Sequence, residues 1–279
     1  MTETGILYIV GTPIGNLGDF SPRAKETLEM VDFIAAEDTR VTRKLLSAFD
    51  ITKPLISCHE HNILQRSHEI MERLAKGENG AIVTDAGMPC ISDPGQQLVR
   101  LLHESNMNIA VVPGPTAALS ALAASGLPTD KFYFEGFLPR EKKDRKAALQ
   151  QIKTYPATLI FYEAPHRLQK TLADMLAVLG DREMSVAREI TKKFEEIRLT
   201  TLAQAVEYYE AVEPRGEFVL LVHGADPAET QETVSEDDAM ALCRRYMEEG
   251  LPPSKAAAKA AAAAGIKKSV LYDRLLAEK

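Results

Sequence analysis

Three short apolar runs, each stopped at once by a loop of Gly, Pro and small residues, constrain this chain more than anything else in it. Ile6-Leu7-Tyr8-Ile9-Val10 runs into Gly11-Thr12-Pro13-Ile14-Gly15-Asn16-Leu17. Ala81-Ile82-Val83-Thr84 runs into the loop from Asp85 to Gly95, and Ile109-Ala110-Val111-Val112 runs into Pro113-Gly114-Pro115-Thr116-Ala117-Ala118-Leu119. Apolar runs of this length, rich in β-branched residues and ended by Gly or Pro, fit central parallel strands. In open α/β sheets ligands bind outside the carboxyl ends of the strands, so the three loops are expected to converge on one crevice, their glycines letting backbone amides approach a ligand. Gly and Pro also simply terminate strands. One such loop leaves the two readings level; three together favour a ligand site.

Up to about Pro115 short strands alternate with helical segments such as Pro22 to Val31 and Gln65 to Lys76, as in a doubly wound α/β domain, placed at 1–115. A second α/β domain is placed at 116–225. It opens with a helix from Thr116 to Ser125 and passes through Phe132-Tyr133-Phe134-Glu135-Gly136 and a highly charged stretch from Arg140 to Lys153. Strands are then expected at Thr158 to Tyr162, Met184 to Arg188, Glu195 to Thr201 and Phe218 to Val222, spaced closely enough for a mixed or antiparallel sheet. Residues 226–236, acidic and poor in apolar side chains, read as a solvated linker. Residues 237–279 then read as three helices: Asp237 to Glu249, an Ala/Lys helix opened by Pro252-Pro253-Ser254 and stopped at Gly265, and a last helix opened by Lys267-Lys268-Ser269. The second and third have the form of a helix-turn-helix.

The 279 residues, 45% of them hydrophobic, suffice for two cored domains. No apolar stretch reaches spanning length and the start Met1-Thr2-Glu3-Thr4 lacks the basic and apolar regions of a signal peptide, so a cytoplasmic location without membrane association is expected. Cys58, Cys90 and Cys243 are odd in number and far apart, which argues against a disulfide framework and a cysteine zinc site. The net charge of −7 gives no global pull toward nucleic acid. From Ala241 to Lys279, however, eight Lys or Arg stand against four Asp or Glu. A nucleic-acid contact there, including Lys267 and Lys268, and an Ala-rich helix that merely packs against a neighbour remain equal alternatives.

The glycine loops contain neither Gly-x-x-x-x-Gly-Lys-Ser/Thr nor Gly-x-Gly-x-x-Gly, which disfavours nucleoside triphosphate hydrolysis and dinucleotide binding. Rich in Pro and small apolar residues and poor in positive charge, they suit a ligand without phosphates, such as S-adenosylmethionine. Cys58-His59-Glu60-His61-Asn62 lacks a helical His-Glu-x-x-His spacing and reads as a polar loop rather than a metal site. Glu37-Asp38-Thr39-Arg40, with Arg43 and Lys44 close behind, is either a polar substrate contact at a strand end or a helix start capped by Asp38 or Thr39, and both can hold. Glu163-Ala164-Pro165-His166-Arg167 and Arg188-Glu189 with Lys192-Lys193 lie at strand ends of the second domain. His166 alone is more often structural than catalytic.

With these segments assembled, the chain resembles the tetrapyrrole methylase superfamily, and within it the ribosomal RNA branch of 16S rRNA (cytidine 2′-O-ribose) methyltransferases. The resemblance spans essentially the whole chain. It rests on Gly11 to Leu17, Glu37 to Arg40, Asp85 to Gly95, Pro113 to Leu119, Glu163 to Arg167, Ala187-Arg188-Glu189 and Gly216-Glu217-Phe218. The corrin- and porphyrin-modifying relatives carry Gly-x-Gly-Pro-Gly-Asp and Gly-Asp-Pro, where this chain has Gly-Thr-Pro-Ile-Gly-Asn and Gly-Met-Pro; that departure and the basic helical tail point away from tetrapyrroles. The resemblance implies two α/β domains with S-adenosylmethionine folded into the cleft between them, usually in a homodimer, and 16S rRNA, within the 30S subunit, as substrate. It implies cofactor contacts at Pro13, Gly87, Met88, Ile91, Thr116, Ala117, Ala187 and Phe218. Transfer to a 2′-hydroxyl needs a base: strand-end position and residue type suggest Glu163 and Asp38, with Lys44 behind them, while Arg40, Arg167 and Arg188 would hold RNA phosphates.

Overall fold

The computed structural model of the protein describes residues 4–226, 236–264 and 266–277. The apolar runs form a five-stranded, wholly parallel sheet of β1 (Ile6–Val10), β2 (Phe33–Ala36), β3 (Leu55–Ser57), β4 (Gly80–Val83) and β5 (Asn108–Val112), in the order β3-β2-β4-β1-β5. Strand side chains alternate between faces, and β1 shows it: Leu7 and Ile9 join one core cluster, Tyr8 and Val10 another. The first cluster is closed by Ile70 and Leu74 of α3 (Ile63–Ala75) and Leu98 and Leu102 of α4 (Gln96–Glu104). The second is closed by Leu28 of α1 (Pro22–Met30) and Leu46 of α2 (Thr39–Ala48). Covered on both faces, β2 and β4 need no polar alternation and read as continuous apolar runs, whereas β5, expected to be central, is an edge strand with Val111 half-exposed.

After α5 (Ala117–Ala124) comes a second sheet of β6 (Phe132–Phe137), β7 (Thr158–Glu163), β8 (Glu183–Arg188), β9 (Glu196–Thr201) and β10 (Phe218–Val222), in the order β6-β7-β10-β8-β9. It is mixed, as the strand spacing predicts: β6 runs parallel to β7 and the other pairs are antiparallel. In its register Phe218 opposes both Glu163 and Arg188, which puts the end of β7, the end of β8 and the start of β10 in one row. The charged stretch after Arg140 folds as α6 (Lys142–Ile152), where Arg145 is only 5% exposed and pairs at 2.6 Å with Asp174 of α7 (Pro165–Leu179). α8 (Leu202–Ala211) follows β9, its first turn capped by Thr201.

Both sheets belong to one compact unit that runs to Gln150 and from Thr158 to His223. A second unit comprises Gln151–Ala157 and the chain from Gly224. Its helices are α9 (Glu236–Glu248), α10 (Pro253–Ala264) and α11 (Lys268–Ala277). Ala256, Ala257, Ala260, Ala261 and Ala264 of α10 are buried with Met240, Cys243 and Leu271, so the Ala-rich face is the core of this unit. Arg274 ties α11 to Glu236 and Asp237 of α9. The turn expected at Gly265 and, its two end residues apart, the linker expected at 226–236 lie outside the described residues. No helix among the described residues is long and apolar enough to cross a membrane.

Candidate active site

The loops after β1, β4 and β5 are locked to one another before they meet any ligand. Thr12 and Gly87 exchange backbone hydrogen bonds, Thr12 N to Gly87 O at 2.9 Å and Gly87 N to Thr12 O at 3.1 Å, and the Thr12 hydroxyl donates to Thr84 O at 3.1 Å. A Cβ added to Gly11 would lie 2.6 Å from Gly114 Cα, so the loops after β1 and β5 touch backbone to backbone. Glycines expected to bring amides to a ligand here serve contact between the loops themselves. Gly11 and Gly114 let loop meet loop, and the Gly87 amide is already spent on Thr12. Gly87 keeps a left-handed φ of 93° that a side chain would strain.

Between these loops and the row of strand ends in the second sheet lies a cavity of about 480 Å³. The expected Gly87, Met88, Ile91, Thr116, Ala117, Ala187 and Phe218 line it; Pro13 does not, and its neighbour Ile14 does. Non-glycine residues with left-handed backbone stand in two of the segments that supply wall residues: Cys90 (φ 69°) and Ser92 (φ 61°) in the loop after β4, Glu189 (φ 51°) and Thr191 (φ 65°) after β8. Such conformations cost energy and persist only where surrounding contacts enforce them. After β8 the enforcement is an ionic clamp. Lys192 Nζ lies 3.0 Å from Glu189 Oε1 and 2.8 Å from Glu217 Oε2, and Glu189 Oε1 also accepts from Glu217 N at 2.9 Å. Burial works against charge on both partners, and the bonds between them win, lowering the Glu189 carboxyl below its usual value and raising the Lys192 amine.

The expected bases fare unequally. Asp38 and Lys44 do not line the cavity. Asp38 is the N-cap of α2, accepting from Arg40 N at 2.8 Å, and the Arg40 guanidinium grips the same carboxylate and holds it well below the usual carboxylate range. A carboxylate held that way is a poor proton acceptor. Lys44 is exposed on α2. Glu163 does line the cavity, but its side chain is 1% exposed, with Oε1 accepting from Ala164 N at 2.9 Å and meeting Arg167 Nε at 3.3 Å, and Oε2 accepting from Thr171 Oγ1 at 2.6 Å. Both oxygens are engaged, so Glu163 anchors the start of α7 and has little capacity left for an incoming hydroxyl.

Of the arginines expected on phosphate, Arg167 turns inward: its Nη2 donates to Leu138 O at 2.6 Å while its Nε faces Glu163. Arg188 donates to Arg215 O at 2.7 Å and lines a separate polar pocket with Glu196, Tyr208 and Arg215. Arg40, although paired with Asp38, stays largely exposed. His166 is exposed in the first turn of α7. Lys267 and Lys268 are exposed at the start of α11, in the second unit.

The site residues expected from the sequence leave out the acid that the cavity perturbs most. Asp93, in the loop after β4, lines the cavity, and its carboxyl is pushed up to about 6 by burial first, then by the negative charges of Glu37 and Asp85, with a contact to Thr84 offsetting only part. Glu37 is held in place by the Thr84 hydroxyl at 2.7 Å. Asp85 is raised too, burial being the main cause. The only signal in the sequence is Asp93's membership of the Asp85 to Gly95 loop.

The walls are chiefly apolar, through Ile14, Met88, Ile91, Ala117, Ala187 and Val219, with the acids Asp93, Glu163 and Glu217 and the single, doubly paired Lys192. Apolar walls with few polar groups fit a flat heterocycle, and carboxylates without a free cation fit a ligand that carries positive charge and hydroxyls but no phosphate. S-adenosylmethionine meets that description.

Comparison with known proteins agrees over nearly the whole chain. A family profile described as tetrapyrrole (corrin/porphyrin) methylases matches residues 6–206, and one described as RsmI C-terminal HTH domain matches residues 233–279. The protein named ribosomal RNA small subunit methyltransferase I in Synechocystis sp. is 48% identical over 269 residues, covering 96% of this chain and 96% of its own. Its namesake in Bacillus subtilis is 44% identical over 275 residues, covering 98% and 94%. Among solved structures, a cobalt precorrin-4 methyltransferase superposes with a TM-score of 0.58 at 18% identity, covering 78% of this chain and 94% of that one, a likeness that speaks for the fold alone. With that cavity, those two profiles and relatives of this identity over nearly its whole length, the chain belongs to the tetrapyrrole (corrin/porphyrin) methylase family, on the branch of the ribosomal RNA small subunit methyltransferase I proteins.

Proposed function

We propose that this chain is an S-adenosylmethionine-dependent methyltransferase that modifies the 2′-hydroxyl of a cytidine in 16S ribosomal RNA, in the cytoplasm and as a homodimer. The observation that carries the reading is identity of 44–48% that extends over at least 96% of the chain. When bound, S-adenosylmethionine supplies a methyl group on a positively charged sulfur. Ile14, Gly87, Met88, Ile91, Thr116, Ala117, Ala187 and Phe218 hold it, the apolar side chains excluding water around the reacting atoms. The ionic clamp Glu189–Lys192–Glu217 fixes one wall, and the Thr12–Gly87 bridge fixes the other. Rigid walls favour transfer because most of the rate of such a displacement comes from alignment.

RNA is gripped outside the cavity, by Arg40 and by Lys267 and Lys268. Lysines at a helix N-terminus oppose the helix dipole, a local cost that an RNA phosphate placed there would offset. The test is to incubate the protein with radiolabelled S-adenosylmethionine and unmodified 30S particles, digest the RNA and identify the labelled nucleoside. Labelled 2′-O-methylcytidine is the expected product. Label on a base, or none in RNA despite cofactor binding, defeats the reading.

A further inference from the structure

The cavity wall brings together an acid and two aromatic rings from three elements far apart in sequence. Asp93 comes from the loop after β4, Phe137 from the end of β6 and Tyr162 from β7, and all three line the cavity. Tyr162 is fixed: its hydroxyl accepts from Ala118 N at 3.1 Å, and its ring meets Phe134 and Phe137 edge-on at centroid separations of 5.1 and 5.6 Å. Asp93 is near enough that its charge adds to burial in raising the Tyr162 phenol. Phe137 leans on Tyr162 yet is 58% exposed. An exposed ring braced from behind at a cavity wall is a platform for another flat ring, since aromatic stacking holds single-stranded bases whatever their sequence.

We infer that Asp93 is the general base of the reaction and that Phe137, braced by Tyr162, stacks the base of the acceptor nucleotide. The inference rests on the functional reading above and deepens it. In the step, the ribose hydroxyl oxygen forms a bond to the methyl carbon as the carbon–sulfur bond breaks with its electron pair left on sulfur. The hydroxyl proton passes to a carboxylate oxygen of Asp93 and from there to solvent. Glu163 suits this role less because the Ala164 amide, Arg167 and the Thr171 hydroxyl already occupy its oxygens, and Asp38 because it lies off the cavity wall and Arg40 holds it. Asp93 faces Glu37 from the end of β2, Asp85 and Thr84 from the end of β4, and Tyr162 from β7; Glu163, Lys192 and Glu217 are the other charged groups on the cavity wall. Burial, and after it the like charges of Glu37 and Asp85, make its carboxylate more basic than an ordinary one, which suits a base working near neutral pH.

The experiment is single-turnover methylation of unmodified 30S particles as a function of pH by wild-type protein, Asp93→Asn and Phe137→Ala. Cofactor affinity is measured alongside by equilibrium dialysis with tritiated S-adenosylmethionine. If the wild type labels no RNA nucleoside, the functional reading fails; if it labels RNA, the variants decide the present inference on its own. The wild-type rate should rise with pH and level off above about 6, because the carboxylate must be ionised to accept a proton. Asp93→Asn, assayed at a cofactor concentration that saturates it, should lose about 100-fold or more in rate and lose that rise. Phe137→Ala should weaken RNA binding by about 10-fold and leave cofactor affinity unchanged. An Asp93→Asn protein that keeps a third of the rate or keeps the acidic limb overturns the base role. Unchanged RNA affinity in Phe137→Ala overturns the stacking role. Should Asp93→Asn not fold, the wild-type profile still decides, since a rate flat through pH 6 removes Asp93.

Discussion

Glu163 and Asp93 both line the cavity, one at the end of β7 and the other in the loop after β4, and they differ in what surrounds the carboxylate. Glu163 is buried with Arg167, the Thr171 hydroxyl and the Ala164 amide around it. Asp93 is less buried but lacks a cation among the described residues, and burial first, then the charges of Glu37 and Asp85, push it up to about 6. A buried charge with every oxygen engaged is held still and belongs to the scaffold; a charge beside like charges is less stable ionised and ready to take a proton. The contrast teaches that position at a strand end does not identify a catalytic acid, and that the partners do.

The largest expected effect tests the scaffold side. Arg167→Ala strips the buried Glu163 of its cation and leaves it uncompensated, so urea unfolding should show a loss of about 3 kcal/mol. A loss under about 1 kcal/mol would mean that the Thr171 and Ala164 bonds hold Glu163 unaided, and the contrast would be weaker than drawn here.

The same rule sorts the cations. Arg145 and Arg167 are committed inside the fold, whereas Lys267 and Lys268 have no carboxylate partner among the described residues. Replacing both lysines by alanine should weaken RNA binding by about 10-fold at low salt and reduce the slope of log affinity against log salt by up to about 2. Cofactor affinity and unfolding should stay as in wild type. An unchanged salt slope in filter binding would place the RNA elsewhere.

Smaller effects test the reactive side. The folded-state pKa of Asp93 lies above the ordinary carboxylate value of 3.8, so the folded chain binds this proton more tightly than the unfolded one. Stability therefore falls as pH rises from about 4 to about 6, and above that range the folded protein carries the whole cost. Asp93→Asn should raise stability at pH 7, by at most about 1 kcal/mol because the group is only partly buried; a lower urea midpoint would show Asp93 to be structural. Glu37→Gln removes a like charge, which favours the ionised form of Asp93. The acidic limb of the rate profile should then move toward lower pH by less than about one unit. A shift toward higher pH would mean that Glu37 acts on Asp93 through Thr84 and not through its charge.

The parallel sheet could be read from the chain because β1 and β4 carry no charged or strongly polar residue, the pattern that burial on both faces demands. The mixed sheet could be read from strands too closely spaced for crossover helices between all of them. Many of the cavity-lining positions were visible for a different reason: Gly87, Met88, Thr116 and Ala117 sit in recognisable loops directly after strands. The roles of the charged groups were not visible. Asp38 and Glu163 look alike in sequence, each an acid at a strand end with an arginine close behind, and nothing local shows that one caps α2 while the other is walled in by α7.

The sequence by itself determined where the strands lie, that their ends carry small-residue loops, and that a separate Ala-rich, basic helical unit follows, because these depend on local propensity and on the period of apolar residues. Tertiary structure alone decided that Gly11 meets Gly114, that Lys192 clamps Glu189 to Glu217, and that Asp93 shares a wall with Phe137 and Tyr162 and a field with Glu37. The reason is physical: contact, burial and the field at a carboxyl are set by groups brought close through space, and a protonation equilibrium follows those neighbours and not the residues adjacent along the chain.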